Sequence, residues 1–241
     1  MRVIIGIPAR YASSRFPGKP LALLQGKPML EHVIERARES GVGRVLVATD
    51  DENILELVRT WGVDAVMSRK EHASGTERLA EAVENIDCDI VVNVQGDEPL
   101  IDPAAIRDVL KPLEREPHLP MATLAHPIRD ETHLTDPHVV KVVCNARGHA
   151  MYFSRSPIPY LRTKCCTPLQ HVGLYAYRRD FLLHYPTLAA CDTERAEHLE
   201  QLRVLHHGYA IAVTVGDYEF HGVDMPEDLE RVEDMLRKRQ E

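Results

Sequence analysis

The residues best suited to chemistry in this chain gather first in a short basic stretch near its start. Val3-Ile4-Ile5-Gly6-Ile7 is an apolar run of strand length. It breaks at Pro8 into a loop carrying Arg10, Arg15, Gly18 and Lys19, and no Asp or Glu precedes Glu31. In a chain of formal net charge -8 this is a local positive field. Arg supplies planar forked donors, Lys a mobile point charge, and Gly lets backbone N–H groups approach oxygens closely. Such a loop at the carboxyl end of a strand suits a polyphosphate; on charge alone, a solvated basic loop is the alternative. A second candidate is Gln95-Gly96-Asp97-Glu98-Pro99, which terminates the strand-like run from Asp89 to Val94. Open α/β sheets keep their chemistry at strand carboxyl ends. Near the end of the chain, Asp224-Met225-Pro226-Glu227 has the composition of a helix N-terminus, with Asp224 as the N-cap.

The elements that must position these residues alternate. After Pro28, Met29, Leu30, Val33, Ile34 and Ala37 recur at helical spacing. Val45 to Ala48 reads as a second buried strand ending at Thr49-Asp50-Asp51, and a helix through Ile54, Leu55 and Val58 leads to a short strand from Val63 to Met67. Ser74-Gly75-Thr76-Glu77 has capping-box spacing, and Pro103 opens a helix running to about Glu116. Strand, loop and helix in repetition predict an α/β fold with a mainly parallel sheet covered on both faces. From Met121 to Tyr177 the pattern changes to short β-like runs, read as an inserted β element. A helix from about Glu194 to His206, a strand from Ala210 to Val215 and a last helix beginning near Met225 complete the chain. No repeat or linker interrupts it, so residues 1–241 are expected to form a single domain.

Composition excludes several classes. The acidic balance argues against nucleic-acid binding, which needs a basic face. No apolar run approaches the roughly 20 residues of a membrane span, and the start of the chain lacks a signal-peptide pattern. A cytoplasmic protein with no membrane partner is expected. The cysteines, Cys88, Cys144, Cys165, Cys166 and Cys191, form no CxxC pair and are expected to be free thiols. Neither GxGxxG nor GxxxxGK[ST] occurs at the first strand, so the phosphate loop belongs to another class.

IPARYASSRFPGKPL, from Ile7 to Leu21, resembles the opening signature of the CMP-sugar synthetases, above all those that act on 3-deoxy-manno-octulosonate (Kdo). SGTERLAE at Ser74 to Glu81, VNVQGDEPLI at Val92 to Ile101, VVKVV at Val139 to Val143 and YFSRSPIP at Tyr152 to Pro159 resemble the same family. So do HVGLYAYR at His171 to Arg178, LEQLRVL at Leu199 to Leu205 and GVDMPEDLE at Gly222 to Glu230. Each block alone is weak; their order across nearly the whole chain is specific.

The resemblance implies a Rossmann-like nucleotidyltransferase of the nucleotide-diphospho-sugar type, in which CTP and Kdo give CMP-Kdo and pyrophosphate with magnesium. It implies that Arg10, Arg15, Lys19 and Asp97 are catalytic, and that Ala9, Arg10, Arg15, Lys19, Ser74, Gly75 and Gln95 bind the nucleotide. Arg78, Gln95, Arg155, His171, Tyr175, Glu200 and Gln201 would face the sugar, with Arg78 or Arg155 pairing with its carboxylate. Asp97 and Asp224 would bind magnesium. The β-rich part from Met121 to Arg178 would contribute to a homodimer. Taken without the family, Arg78 could form a helix ion pair, His171 could be a core histidine, Glu200 a solvated helix face and Asp224 a cap. Competing activities are a cytidylyltransferase for 8-amino-Kdo or a sialic acid, a sugar-nucleotide-dependent glycosyltransferase, and a non-catalytic nucleotide-binding protein.

Overall fold

The computed structural model describes residues 1–12, 16–68, 72–218 and 220–240. The chain divides into two compact units, one formed by Met1–Arg107 with Glu219–Glu241, the other by Asp108–Tyr218. Along the first stretch run β1 (Val3–Ala9), the hairpin β2 (Leu23–Leu24) and β3 (Lys27–Pro28), α1 (Met29–Glu39), β4 (Arg44–Thr49), α2 (Glu52–Thr60), β5 (Asp64–Met67), α3 (Gly75–Ala82), β6 (Ile90–Asn93) and α4 (Pro103–Asp108). Next come α5 (Lys111–Arg115), β7 (Met121–Pro127), α6 (Glu131–Thr135), β8 (Lys141–Cys144), β9 (Ala150–Ser154), β10 (Leu169–Arg178), α7 (Arg179–His184), α8 (Asp192–Glu197), α9 (Gln201–His206) and β11 (Ile211–Val215). The helix α10 (Asp228–Gln240) returns to the first unit.

In the first unit β1 pairs in parallel with β6 on one side and β4 on the other, and β4 pairs in parallel with β5. This is the expected parallel sheet. Strands β1, β4 and β6 are buried along almost their whole length because helices cover them, whereas β5 at the edge is only partly buried; Ile5 and Ile7 are fully buried, each contributing roughly 1.5–3 kcal/mol. Helix α3 lies directly against β1: a Cβ on Gly6 would come within 2.7 Å of Leu79 Cδ2, and one on Gly75 within 2.9 Å of Pro8 Cγ. These two glycines let the helix N-terminus reach the carboxyl end of β1. Leu24, Met29, Leu100, Val223 and Val232 form a further core cluster, joined by Phe16 and Leu229. That cluster holds the returning C-terminal segment, and with it Asp224, against the opening half of the chain.

In the second unit β7 pairs in parallel with β11 and antiparallel with β10. Strand β8 pairs antiparallel with both β10 and β9, which makes the expected inserted β element. The register of β10 on β7 slips between Val172 and Tyr175.

Three local expectations change. The helix from Pro103 to Glu116 is two helices, α4 and α5, because Pro112 in α5 has no N–H to continue the ladder back to Asp108. The helix from Glu194 to His206 breaks at His198, whose φ of 51° is left-handed. Arg155 supports that break: its Nε donates to the Glu197 carbonyl at 2.7 Å, while the Glu197 carboxylate accepts from Ser154 Oγ at 2.6 Å. Finally, α10 begins at Asp228, not beside Asp224. The Asp228 carboxylate accepts from the backbone N–H groups of Asp224 at 2.9 Å and Met225 at 3.0 Å.

Candidate active site

A cleft of about 230 Å³ opens at the carboxyl ends of β1 and β6, lined by Ala9, Arg10, Lys19, Ser74, Gly75, Arg78, Gln95, Asp97 and Asp224. Gly18, at a φ of 72°, turns the opening loop into a single 3₁₀ turn that starts at Lys19. The Lys19 ammonium then donates to Asp97 Oδ2 at 2.6 Å and to the Val223 carbonyl at 2.9 Å, with Asp224 Oδ1 at 3.9 Å. Val223 N–H donates in turn to the Asp97 carbonyl at 3.0 Å. Three segments far apart in sequence are stitched together at one point.

Glu98 completes this cluster. The residue is partly buried, its Oε2 is buried with no hydrogen-bond partner, and Oε1 lies 3.1 Å from where a Cβ on Gly222 would stand. Burial, then repulsion from Asp97 and Asp224, pushes its carboxyl up to about 8, with Lys19 opposing. Asp97 and Asp224 share one ammonium, so a cation already stands where their oxygens converge. Hard carboxylate oxygens of this kind suit magnesium. Among the described residues no group of three or more His, Cys, Asp or Glu side chains is arranged to hold a metal. Asp97 and Asp224 by themselves are two carboxylates facing one ammonium.

The remaining wall of the cleft comes from α3. Ser74 caps it, accepting from Glu77 N–H at 3.3 Å; Glu77 reaches back to Ala73 N–H rather than to Ser74, so the capping box is displaced by one residue. Arg78, on the first turns of α3, is only 5% exposed. Its Nη2 donates to Asp50 Oδ2 at 2.9 Å, and Nη1 is buried without a partner. The other Asp50 oxygen accepts from Tyr11 N–H at 3.2 Å. One carboxylate thus ties the basic loop to Arg78. Gln95 is oriented by a relay in which its Nε2 donates to Asn93 Oδ1 and Asn93 Nδ2 donates to Thr76 Oγ1. The acceptor oxygen of Gln95 is left on the side of Gly75, 3.6 Å from where a Cβ there would stand.

A second pocket, of about 350 Å³, lies within the second unit and includes His171, Gly173, Tyr175, Glu200 and Gln201. Glu200 and Gln201 follow the break at His198 directly. Gln201 is 2% exposed and its Nε2 has no partner, so a buried donor is available to a polar ligand. The His171 ring packs between Phe153 and Tyr175, at centroid distances of 4.9 and 5.4 Å. Burial holds its pKa down to about 3, so the imidazole is neutral. Burial also raises the Tyr175 phenol, which stays protonated.

The expected site residues are therefore distributed as follows. Ala9, Arg10, Lys19, Ser74, Gly75, Arg78, Gln95, Asp97 and Asp224 share the first cleft. His171, Tyr175, Glu200 and Gln201 share the second pocket. Arg155 is committed to backbone carbonyls, those of Glu197 and, through Nη1 at 2.9 Å, Pro137. Arg15 lies outside the described residues. Asp50 and Glu98 were not singled out from sequence, although each follows a strand in the position that marks Asp97.

A parallel sheet with a basic loop and paired carboxylates at its strand ends defines the class: an α/β nucleotidyltransferase. Residues 3–211 match the family model described as Cytidylyltransferase. The 3-deoxy-manno-octulosonate cytidylyltransferase of Syntrophotalea carbinolica is 50% identical over 98% of this chain and 99% of its own. A solved CMP:2-keto-3-deoxy-manno-octonic acid synthetase complexed with CTP is 45% identical, superposes with a TM-score of 0.95, and covers 99% of this chain and 100% of its own. A 4-diphosphocytidyl-2C-methyl-D-erythritol synthase from Anaerococcus prevotii, 13% identical over 98% of this chain and 99% of its own, shares the fold with a TM-score of 0.64. The chain belongs to the 3-deoxy-manno-octulosonate cytidylyltransferase family.

Proposed function

We infer that this chain transfers CMP from CTP to Kdo, releasing pyrophosphate, the activation step for lipopolysaccharide biosynthesis. The observation that carries the reading is the convergence of Lys19, Asp97 and Asp224 in a cleft whose opposite wall is the N-terminus of α3. The anomeric hydroxyl oxygen of the sugar bonds to the α-phosphorus, the bond from that phosphorus to the pyrophosphate oxygen breaks, and the hydroxyl proton is lost. Such a step needs positioning and charge stabilisation more than covalent help from the protein.

Arg10, Arg15 and Lys19 hold the triphosphate and stabilise the charge that develops on it. Ala9, Ser74, Gly75 and Gln95 receive the cytosine. Asp97 and Asp224 would hold magnesium, which would neutralise triphosphate charge. In a 2-keto sugar acid the carboxylate is attached to the anomeric carbon, so it reaches the α-phosphate together with the attacking hydroxyl. The half-paired guanidinium of Arg78, in the same cleft, suits that carboxylate, with Gln95 beside it. Tyr175, His171, Glu200 and Gln201 read the sugar hydroxyls, and Arg155 acts by holding their pocket in shape.

The family model spans both compact units, which supports reading residues 1–241 as one cytidylyltransferase domain. No helix among the described residues is long and apolar enough to cross a membrane, and no disulfide joins the cysteines, which supports a cytoplasmic enzyme. Exposed Met151 and Tyr160 support a homodimer contact in the β-rich part from Met121 to Arg178; a monomer by light scattering at working concentration contradicts it. The decisive assay is pyrophosphate release from CTP with magnesium and a panel of keto-sugar acids. Kdo is expected to be the best substrate. Turnover with a sialic acid and none with Kdo would sink the reading, and consumption of CMP-sugar without CTP use would indicate a glycosyltransferase.

A further inference from the structure

The irregularity in β10 is built, and one buried hydroxyl holds it. Val172 pairs with Leu124 and Tyr175 with Thr123, so Gly173 and Leu174 are extra residues with no partner in the β7 register. Thr123 is fully buried beneath this bulge. Its Oγ1 lies 3.0 Å from the Val172 carbonyl oxygen, 2.9 Å from the Leu174 carbonyl oxygen and 3.0 Å from His171 Nε2. The hydroxyl has one proton, and carbonyls only accept, so that proton goes to the carbonyls. The oxygen's lone pair is left to accept from His171 Nε2–H. This is the arrangement that leaves neither carbonyl facing a bare hydroxyl lone pair, and in it Nδ1 is the acceptor nitrogen. The bulge also exposes Gly173 in the middle of a strand otherwise mostly buried. A Cβ at Gly173 would meet no protein atom within 4 Å, and the residue lines the second pocket. No positive φ requires a glycine there. Its missing side chain serves the open space.

We propose that Thr123 is a positioning residue for sugar recognition: it clamps the β10 bulge around Gly173 and presents His171 as a hydrogen-bond acceptor, while Gly173 provides the clearance that sets the size of the accepted sugar acid. This rests on assigning the second pocket to the sugar. The depressed His171 pKa agrees with it, since a neutral ring keeps one acceptor nitrogen.

Three measurements test it. In the wild-type protein, nitrogen NMR of the imidazoles, with His171 assigned by its loss in His171→Gln, is expected to show the Nε2–H tautomer; an Nδ1–H ring overturns the proposal. Thr123→Val keeps the shape and removes the hydroxyl. It is expected to raise KM for Kdo about tenfold, the scale of one lost hydrogen bond, with KM for CTP unchanged. The His171 nitrogen shifts are expected to change with it, and Thr123→Ser to restore both. Equal changes in both KM values, or a change in melting temperature alone, overturn the positioning role. Gly173→Ala does not depend on how Thr123→Val folds. It is expected to melt like wild type and raise KM for Kdo several-fold, and a wild-type KM overturns the clearance role. If His171→Gln leaves KM for Kdo untouched, the assignment of the pocket to the sugar fails, whereas the tautomer measurement still judges the clamp.

Discussion

Lys19 Nζ lies 2.6 Å from Asp97 Oδ2, across 78 residues of sequence, and this pair is the hinge of the active cleft. The same ammonium faces Asp224 at 3.9 Å. Lys19 is therefore charge partner to the two carboxylates assigned to magnesium as well as a candidate phosphate ligand. Its removal acts on both roles. Lys19→Ala is expected to cost about 2–4 kcal/mol of transition-state stabilisation, a hundredfold or more in turnover. It is also expected to lower the melting temperature in the absence of divalent cation, because Asp97 and Asp224 lose the ammonium they share. Magnesium is expected to recover part of that loss. Calorimetry with and without magnesium, alongside CTP turnover, checks both; near-normal turnover would remove Lys19 from the mechanism.

For Asp224 the alternative role as a helix cap now predicts little, because α10 begins at Asp228, whose own carboxylate receives the nearby N–H groups. Asp97→Asn and Asp224→Asn should both stay folded and both lose most activity at ordinary magnesium. Their losses should combine less than additively if they serve one ion. A magnesium titration of the two single variants and the double variant is the measurement; wild-type turnover in Asp224→Asn would leave Asp97 without this partner.

Asp50 gives a third test. Its carboxylate accepts from the buried Arg78 guanidinium and also from Tyr11 N–H. Asp50→Ala should cost about 1–3 kcal/mol of stability by leaving a buried charge-bearing group under-paired. It should also weaken substrate use through Arg78. The kinetic effects of Asp50→Ala and Arg78→Met should be markedly non-additive in a double-mutant cycle. Simple additivity would show that the carboxylate does not act through Arg78.

His171 makes stability depend on pH in a defined direction. In the unfolded chain its ring takes a proton near pH 6.5, but in the folded protein only near 3, because burial disfavours the charge. Between those values the unfolded state binds the extra proton. The contribution is therefore complete above about pH 6.5 and is lost on acidification, by about 1.4 kcal/mol per pH unit. Urea unfolding between pH 7 and 5 should show a steeper loss for wild type than for His171→Gln, and parallel slopes would refute a buried neutral ring.

Much of this enzyme is local and was therefore legible in the chain. A buried strand announces itself by an apolar run, and a phosphate loop by an acid-free stretch of Arg, Gly and Lys after it. The carboxyl-end placement of Asp97 follows from the strand before it, and the ordered motifs carried the family. What the tertiary structure decided concerns groups whose energy depends on neighbours far along the chain. That Lys19 meets Asp97, that Arg78 is neutralised by Asp50 and shares a cleft with Gln95, and that Glu98 is partly buried beside two other acids depend on strand order and on the return of the C-terminal segment. The α8–α9 break is similar: the sequence reads as one helix because His198 has no strong signal against helix, and it is Arg155, 42 residues upstream of Glu197, that takes the last carbonyl. The clamp at Thr123 had no signal at all, since a threonine in a strand is ordinary until the opposite strand bulges over its hydroxyl. Periodicity and spacing report which face a residue is on; only the folded packing fixes which donor meets which acceptor, because a hydrogen bond is decided within a few tenths of an ångström.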